Sequence, residues 1–510
     1  MRLLSSNQAR YLDRITVDKF KISNRNLMKN AGKEIAFYAK KMVNNIPNPV
    51  ILVICGKGNN GGDGYAAASF LQHDGFNVSV QSIVAKELIK REALFFYEEC
   101  VNLGIPISFY PSLKSTNDFH LIIDGLLGIG LKGPIENNFI KIFTWLNNLN
   151  SKILSIDVPS GLNCDNGTFR KSSVKADCTV TFGAPKIGMY LRHGPQYCGK
   201  IVVGDIGFPS LNNIDIPGPI WKINNVEMLD KYLKKPSIDI NKNSAGKVLI
   251  IAGSQGMTGA AILSTYAALR SGAGLTLTTA PKSLSQIYEQ SIIEGMTLTL
   301  NDQNSGRLGL EHFESIMDRV KWADSVLLGP GLGRDLSTQK LIRKLVKYID
   351  KPLILDADGL FPFSNDIFTL SKRVHPLIIT PHFGEFANIL DYKVENIITE
   401  FPDHLDFLLN NFNHVCLVKQ IPICTAYGNS VRINITGNCG LATAGTGDVL
   451  AGIIASFVAQ GFSYYNSAFL GAHIHGMASD YLLDKKGYRG QIASDLLESI
   501  PEVLKLYEKS

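Results

Sequence analysis

Asn438-Cys-Gly-Leu-Ala-Thr-Ala-Gly-Thr-Gly-Asp-Val-Leu-Ala-Gly452 is the stretch whose reading decides the fold. Gly445 and Gly447 flank Thr446, and Asp448 follows at once. Beyond it Val449, Leu450, Ile453, Ile454 and Phe457 recur at helical spacing. The pattern predicts a tight glycine turn that opens a buried helix. Backbone amides at such a start are unpaired and favour an anion, typically a phosphate. Asp448 suits two roles: a cap on those amides, or a base that takes a proton from a hydroxyl beside the phosphate. The stretch alone leaves both open.

Working outward, the segments before it repeat one theme, an apolar run of strand length followed by a polar glycine loop. Lys247-Val-Leu-Ile-Ile-Ala252 leads into Gly253-Ser-Gln-Gly-Met-Thr-Gly259 and a small-residue helix over 260–271. Ser325-Val-Leu-Leu leads into Gly329-Pro-Gly-Leu-Gly333, and Pro352-Leu-Ile-Leu ends in Asp356-Ala-Asp358. Leu377-Ile-Ile-Thr-Pro-His-Phe-Gly-Glu385 leaves His382 and Glu385 at loop positions. Strands are also expected over 275–279, 415–419, 423–427 and 431–435. Strand ends of this kind place a site on one edge of an α/β sheet. Taken singly, His382 reads equally as a loop histidine that packs locally, and Lys419 as a surface lysine. Asp356 and Asp358 would face opposite ways if the strand continued through them.

The first half has the same grammar. Val50-Ile-Leu-Val-Ile-Cys55 is a continuous apolar run, as a doubly covered parallel strand requires. Gly56-Lys-Gly-Asn-Asn-Gly-Gly-Asp-Gly64 follows, with a helix expected over 65–72. Further strands are expected over 77–83, 106–110, 120–124, 152–157 and 200–204. Helices are expected over most of 5–42, with Ser5 or Ser6 as a cap, and over 87–103 and 136–149. Two strands end in acids, Asp124 before a glycine-rich loop and Asp157 before Val-Pro-Ser160-Gly161. Alternation of this kind implies a parallel sheet with helices on both faces. The loops at 56–64, 124–134 and 157–161 should therefore meet at one edge, although each acid alone is also a fair loop cap.

At 510 residues the chain is long for a single core, so two domains are expected. The Pro, Gly and Asn-rich stretch 207–219 places the boundary near 222, giving domains 1–222 and 223–510. The hydrophobic share of 45% and charged share of 19% suit a globular protein. A net charge of +6 without a dense basic block gives no indication of nucleic acid. The eight cysteines include no C-x-x-C pair, which fits reduced thiols in a cytoplasmic protein better than disulfides or zinc. No apolar signal core opens the chain, and no run of 18 apolar residues spans a membrane.

Asn59-Asn-Gly-Gly-Asp-Gly64, Asp124-Gly-Leu-Leu-Gly-Ile-Gly-Leu-Lys-Gly-Pro134 and Asp157-Val-Pro-Ser-Gly161 together resemble the NAD(P)H-hydrate epimerase domain. The resemblance covers about the first 220 residues and implies a Rossmann-like three-layer parallel sheet. It implies that Asn59, Asn60, Gly61, Gly62 and Asp63, with Gly128, Ile129, Gly130, Leu131, Lys132, Gly133 and Pro134, bind the hydrated dinucleotide. It further implies that Asn60, Asp124 and Ser160 ligate K+, for which hard oxygen ligands are suited. Asp157 would sit at the epimerising carbon. There the ring nitrogen can open or expel the hydroxyl, so one positioned acid/base could let the centre invert.

The second half resembles the ribokinase-like family. Gly253-Ser-x-x-Met-Thr-Gly-Ala260, Gly329-Pro-Gly-Leu-Gly333, Asp356-Ala-Asp358, Thr380-Pro-His-x-Gly-Glu385 and Gly445-Thr-Gly-Asp448 resemble the ADP-dependent NAD(P)H-hydrate dehydratases within it. This implies that Ala260, Gly333, His382 and Asp448 line the hydrate site. Lys419, Gln420, Ile421, Pro422 and Ile423, with Gly447, would hold the adenine nucleotide. The chain departs from the family at Gln420, where glycine is usual, and at Asn241-Lys-Asn243. The fusion is similar to the bifunctional bacterial repair enzymes for hydrated NADH and NADPH. Asp448 would accept the hydroxyl proton as ADP delivers a phosphoryl group, with Mg2+ at the nucleotide. Ring nitrogen would then expel phosphate, leaving AMP. A cytoplasmic homo-oligomer is the accompanying expectation. A ribokinase-like small-molecule kinase with a nucleotide-binding first module is the alternative, and a non-catalytic nucleotide scaffold is a third reading. The sequence does not distinguish NADH from NADPH hydrate.

Overall fold

The structure is a computed structural model that describes residues 1–110, 119–130, 135–223, 229, 231–420 and 422–508. In it the chain divides into two units, Arg2–Gly218 and Pro219–Ser510 with Met1, each built on its own sheet.

In the first unit a two-residue strand, β1 (Arg2–Leu3), precedes β2 (Val50–Cys55), β3 (Asn77–Ser82), β4 (Ile107–Phe109), β5 (Leu121–Gly125), β6 (Lys152–Ile156), β7 (Cys178–Phe182) and β8 (Lys200–Gly204). The sheet runs in the order β4-β3-β2-β5-β6-β7-β8 and every pair is parallel. Alternate residues feed two cores. Ile51, Val53, Ile123, Leu154 and Ile156 pack on one face. Leu52, Ile54, Ile122 and Ile153 pack on the other. Burial on both faces is why these strands read as unbroken apolar runs.

Several boundaries differ from the sequence reading. The helix expected over 65–72 is Asn59–His73, so most of the presumed glycine loop is its first turns. A Cβ on Gly61 would stand 2.0 Å from the Gly56 carbonyl oxygen, so this helix enters against the preceding loop only where the side chain is absent. The expected helix over 87–103 breaks into a short turn, Lys86–Leu88, and Arg91–Asn102, with Arg91 at φ 55°. Residues 5–42 form two helices, Ser6–Asp18 and Asn24–Val43, capped by Ser5 and Ser23.

The second unit holds β9 (Ile220–Ile223), β10 (Lys247–Ile251), β11 (Leu275–Pro281), β12 (Met296–Leu300), β13 (Ser325–Leu328), β14 (Leu353–Leu355), β15 (Leu377–Ile379), β16 (Val415–Val418), β17 (Cys424–Tyr427) and β18 (Ser430–Ile433). They follow the order β9-β18-β17-β16-β15-β14-β13-β10-β11-β12. Pairing is parallel except from β16 to β18. Strand β12 ends the sheet and is mostly uncovered, so its Met-Thr-Leu-Thr-Leu sequence lacks the apolar run that marked the others. Val248, Ile250, Leu327, Ile354 and Ile378 share a core with Leu450, Ala451 and Ile454. That places the helix Thr446–Ala459, opened by the glycine turn, over the middle of the sheet. Among the described residues, no helix is long and apolar enough to cross a membrane.

Candidate active sites

In the first unit the carboxyl ends of β2, β5 and β6 bring three loops together. Gly56 N–H donates to the Gly125 carbonyl at 3.0 Å. Leu127 N–H donates to Ser160 Oγ at 2.8 Å. Asp124 is fully buried beneath them. Its Oδ2 accepts from Ser155 Oγ at 2.8 Å and Ser160 N–H at 2.9 Å, and its Oδ1 from Ser160 Oγ at 2.5 Å. Burial raises the Asp124 carboxyl, against these hydrogen bonds, which favour the charged form. Asn60 is buried beside this group, and a Cβ on Gly128 would lie 3.1 Å from its Oδ1. Asn60 Nδ2 has no hydrogen-bond partner among the described residues. Asn60, Asp124 and Ser160 are thus neighbours.

Above them opens a cavity of about 930 Å³. Its walls include Asn59, Asn60, Asp63, Gly128, Ile129, Gly130 and Asp157. Leu131, Lys132, Gly133 and Pro134 lie outside the described residues. Asp157 turns the chain at φ 63°, just after β6. Its Oδ1 accepts from Thr181 Oγ1 at 3.0 Å and from the Lys186 ammonium. Lys186 is almost wholly buried and also donates to Thr181 Oγ1 at 2.8 Å and the Phe182 carbonyl at 3.2 Å. The sequence reading passed over Lys186. The signal was present in Gly183-Ala-Pro-Lys186-Ile-Gly188, a charge in a glycine loop behind a strand. Asp13, also passed over, lines the same cavity.

In the second unit Gly445 enters the helix Thr446–Ala459 at φ 89°, a left-handed conformation that suits glycine. The turn has no side-chain cap, so the capping role does not fall to Asp448. Its backbone carbonyl accepts from Ser264 Oγ at 3.1 Å, which ties this turn to the helix Thr258–Arg270, whose first turn carries Ala260. The Asp448 carboxyl is pushed up to about 7, first by burial and then by Asp356, with Lys419 opposing and Asp358 adding.

Lys419 is not the surface lysine of the simplest reading. It is half-buried, donates to Asp356 Oδ1 at 2.5 Å, and would meet a Cβ on Gly447 at 3.3 Å. Burial works against its charge, but Asp356 and Glu385 outweigh it and raise the ammonium. Strand β14 stops at Leu355, so Asp356 and Asp358 do not alternate across a sheet. Asp358 instead accepts from Gly333 N–H at 2.9 Å and from Arg334 Nε at 3.2 Å. His382 caps the helix Phe383–Leu390, its Nδ1 accepting from Gly384 N–H at 3.0 Å and Glu385 N–H at 3.2 Å. Its backbone pairs with Lys419 as an isolated bridge. Gln420 Nε2 donates to Cys424 Sγ at 3.4 Å, Pro422 and Ile423 follow, and Ile421 lies outside the described residues. Gly333, His382, Lys419, Gly447 and Asp448 are thereby linked through Asp356 and Asp358.

Two families match in succession. Residues 24–188 match a family described as YjeF-related protein N-terminus, and residues 248–502 match NAD(P)H-hydrate dehydratase. The chain is 32% identical to the bifunctional NAD(P)H-hydrate repair enzyme of Dictyoglomus turgidum, over 98% of each chain. It is 30% identical to that of Escherichia coli, over 89% of this chain and 84% of the relative. Among solved structures it is similar to the ADP/ATP-dependent NAD(P)H-hydrate dehydratase of Bacillus subtilis, at 25% identity and a TM-score of 0.48, over 58% of this chain and all of that one. A similarity of this degree along the whole length places the chain in one family, and it belongs to the bifunctional NAD(P)H-hydrate repair enzymes.

Proposed function

We propose that the protein repairs hydrated NADH and NADPH in two steps. The first unit interconverts the two epimers of the hydrate, and the second dehydrates one of them with consumption of ADP. The observation that carries this reading is the uncapped Asp448 carboxyl at the glycine-turn helix start, in the half that matches the dehydratase family.

Hydroxide is a poor leaving group and phosphate a good one. Asp448 takes the proton of the hydrate's hydroxyl as its oxygen attacks the terminal phosphoryl group. Amides at the start of the helix stabilise the charge on that group. The ring nitrogen then expels phosphate to give an iminium. The neighbouring ring carbon gives up a proton to the departing phosphate to restore the ring double bond, and AMP, phosphate and the dihydronicotinamide remain. Ala260, Gly333 and His382 line the hydrate, while residues 419–423 and Gly447 hold the nucleotide. Mg2+ would enter with the phosphates, because it keeps several waters and binds through few carboxylates. In the first unit, Asn59–Asp63 and 128–134 hold the dinucleotide, with Asp157 at the inverting carbon.

The residues at Asn60, Asp124 and Ser160 fit a potassium ion. Asp124 is a buried carboxylate that accepts hydrogen bonds from hydroxyl and amide donors. A half-turn of the Asn60 amide would offer its oxygen where Nδ2 now has no partner. The ion would supply the positive charge that holds the Asp124 loop junction together.

The deciding experiment incubates the protein with mixed hydrates and ADP while following the absorbance of restored dihydronicotinamide. Recovery of NADH with one AMP released per turnover supports the reading. A stable phosphorylated product without recovery makes the second unit a small-molecule kinase instead.

A further inference from the structure

The proposed chemistry leaves Asp13 unused, yet it stands in the wall of the epimerase cavity with Asp63, Asp157 and Lys186. Its placement is rigid. The helix Ser6–Asp18 starts with a capping box between Ser5 and Gln8. Ser6 N–H and Oγ donate to the two oxygens of Asp165, at 2.6 and 2.7 Å. Ala9, Leu12 and Ile15 bury one stripe against Ala184, Ile214 and Ile216. Arg10 reaches the Ile129 carbonyl at 3.3 Å. Asp13 sits on the rim of that stripe, open to the cavity.

Resting on the epimerase reading above, we infer that Asp13 is a second catalytic residue of that site, a proton carrier working with Asp157, and that Lys186 is the positioning residue for Asp157. A hemiaminal centre can invert by opening and closing its ring, and that route needs two proton carriers. Asp157 takes the hydroxyl proton. The oxygen's electron pair forms a carbonyl as the bond between that carbon and the ring nitrogen breaks. The nitrogen keeps the bonding pair and takes a proton from Asp13. The freed aldehyde turns about its adjacent single bond. Nitrogen then attacks the other carbonyl face, returns its proton to Asp13, and the new alkoxide recovers the proton held by Asp157. Both carboxyls end as they began, and no other reactant is consumed.

The two carboxyls have different neighbours. Asp157 is tied to an ammonium. The Asp13 carboxyl, reached by solvent, is pushed up to about 6, first by desolvation from the protein around it and then by Asp157, with Lys186 opposing. Asp63, on the helix Asn59–His73, lines the same cavity and is raised well above its ordinary value, first by burial and then by Asp157 and Asp13. Arg10 is the charge on Asp13's own helix that shares the cavity wall.

The test measures epimerisation of purified single-epimer hydrate by the full-length chain, across pH, with dehydration of the accepted epimer and near-UV circular dichroism as checks that the chain is folded. A parent that does not interconvert the epimers refutes the epimerase reading itself, and the role of Asp13 falls with it. With an active parent, kcat/KM is expected to fall as pH rises through about 6, where the acid loses its proton. Asp13→Asn is expected to lose on the order of 10² to 10⁴ in rate together with that limb. Asp13→Glu should restore part of the rate and the limb. Lys186→Met should lower kcat while KM changes little, and Lys186→Arg should recover part of that loss. Asp13→Asn with activity within a few-fold of the parent and an unchanged pH profile overturns the proposal. Should that variant not fold, a parent profile without the falling limb overturns it equally.

Discussion

The Lys419 ammonium lies 2.5 Å from Asp356 Oδ1, a half-buried cation on a buried carboxylate at the ends of β14 and β16. Thr380 Oγ1 donates to the same oxygen at 2.7 Å, while Asp356 Oδ2 has no partner among the described residues. One charge pair thus joins the segment proposed to hold the nucleotide to the acids around Asp448. Lys419→Met should leave a buried carboxylate uncompensated and cost about 3–5 kcal/mol of stability. Chemical denaturation of the variant, read by a probe within Pro219–Ser510, checks this. A loss too small to measure would mean that Asp356 finds another partner.

The same pair sets the working pH of the second site. A base acts when ionised, and Asp448 is raised to about 7. Dehydration kcat should therefore fall as pH drops through about 7. Lys419 lowers the Asp448 value, so a Lys419→Met chain that still turns over should show this midpoint moved to higher pH. A midpoint unchanged in the variant would remove Lys419 from the electrostatics of the base.

Asp448→Asn tests the base itself. The substitution keeps the shape of the turn, and no cap is lost because none is present. Dehydration should fall by on the order of 10² to 10⁴, while calorimetry still shows both ligands bound. Activity within a few-fold of the parent would dismiss Asp448 as the base.

Stereochemistry should divide the labour between the units. A site that aims one hydroxyl at one base favours a single epimer, because near-attack geometry tolerates little displacement. On mixed hydrate with ADP, Asp157→Ala should convert one epimer rapidly, and the rest only as spontaneous inversion supplies it. Adding Asp448→Asn, which keeps Asp157, should merge the two phases. A single fast phase from Asp157→Ala alone would show that inversion does not need Asp157, or that both epimers are dehydrated.

Potassium should support epimerisation. Replacing it with a bulky organic cation at fixed ionic strength should slow the reaction, and Asn60→Ala should weaken the response to potassium. A rate indifferent to the cation would leave Asp124 as a structural junction between loops.

Much of this was legible beforehand because parallel sheets covered on both faces write themselves as apolar runs. Val50–Cys55 and Lys247–Ile251 are strands on that ground. The acids behind them, Asp124 and Asp356, could be named because loops at strand ends carry chemistry. The helix start at Asn59 was hidden because glycines read as a loop locally, and only the approach of Gly56 reveals why Gly61 suits a helix. Strand β12 was hidden because the end of a sheet needs no continuous apolar run.

The sequence by itself determined the two α/β halves, the glycine turn before Asp448, and the loops that had to meet. Those are local patterns, written in neighbouring residues. Tertiary structure alone decided that Lys419 is paired with buried Asp356, that His382 caps a helix, and that Lys186 and Asp13 share a cavity with Asp157. Asp13 and Asp157 are far apart along the chain, and their shared cavity and mutual charge arise only when folding brings them together. A carboxyl's working pKa belongs to that three-dimensional surrounding, not to the residues beside it in sequence.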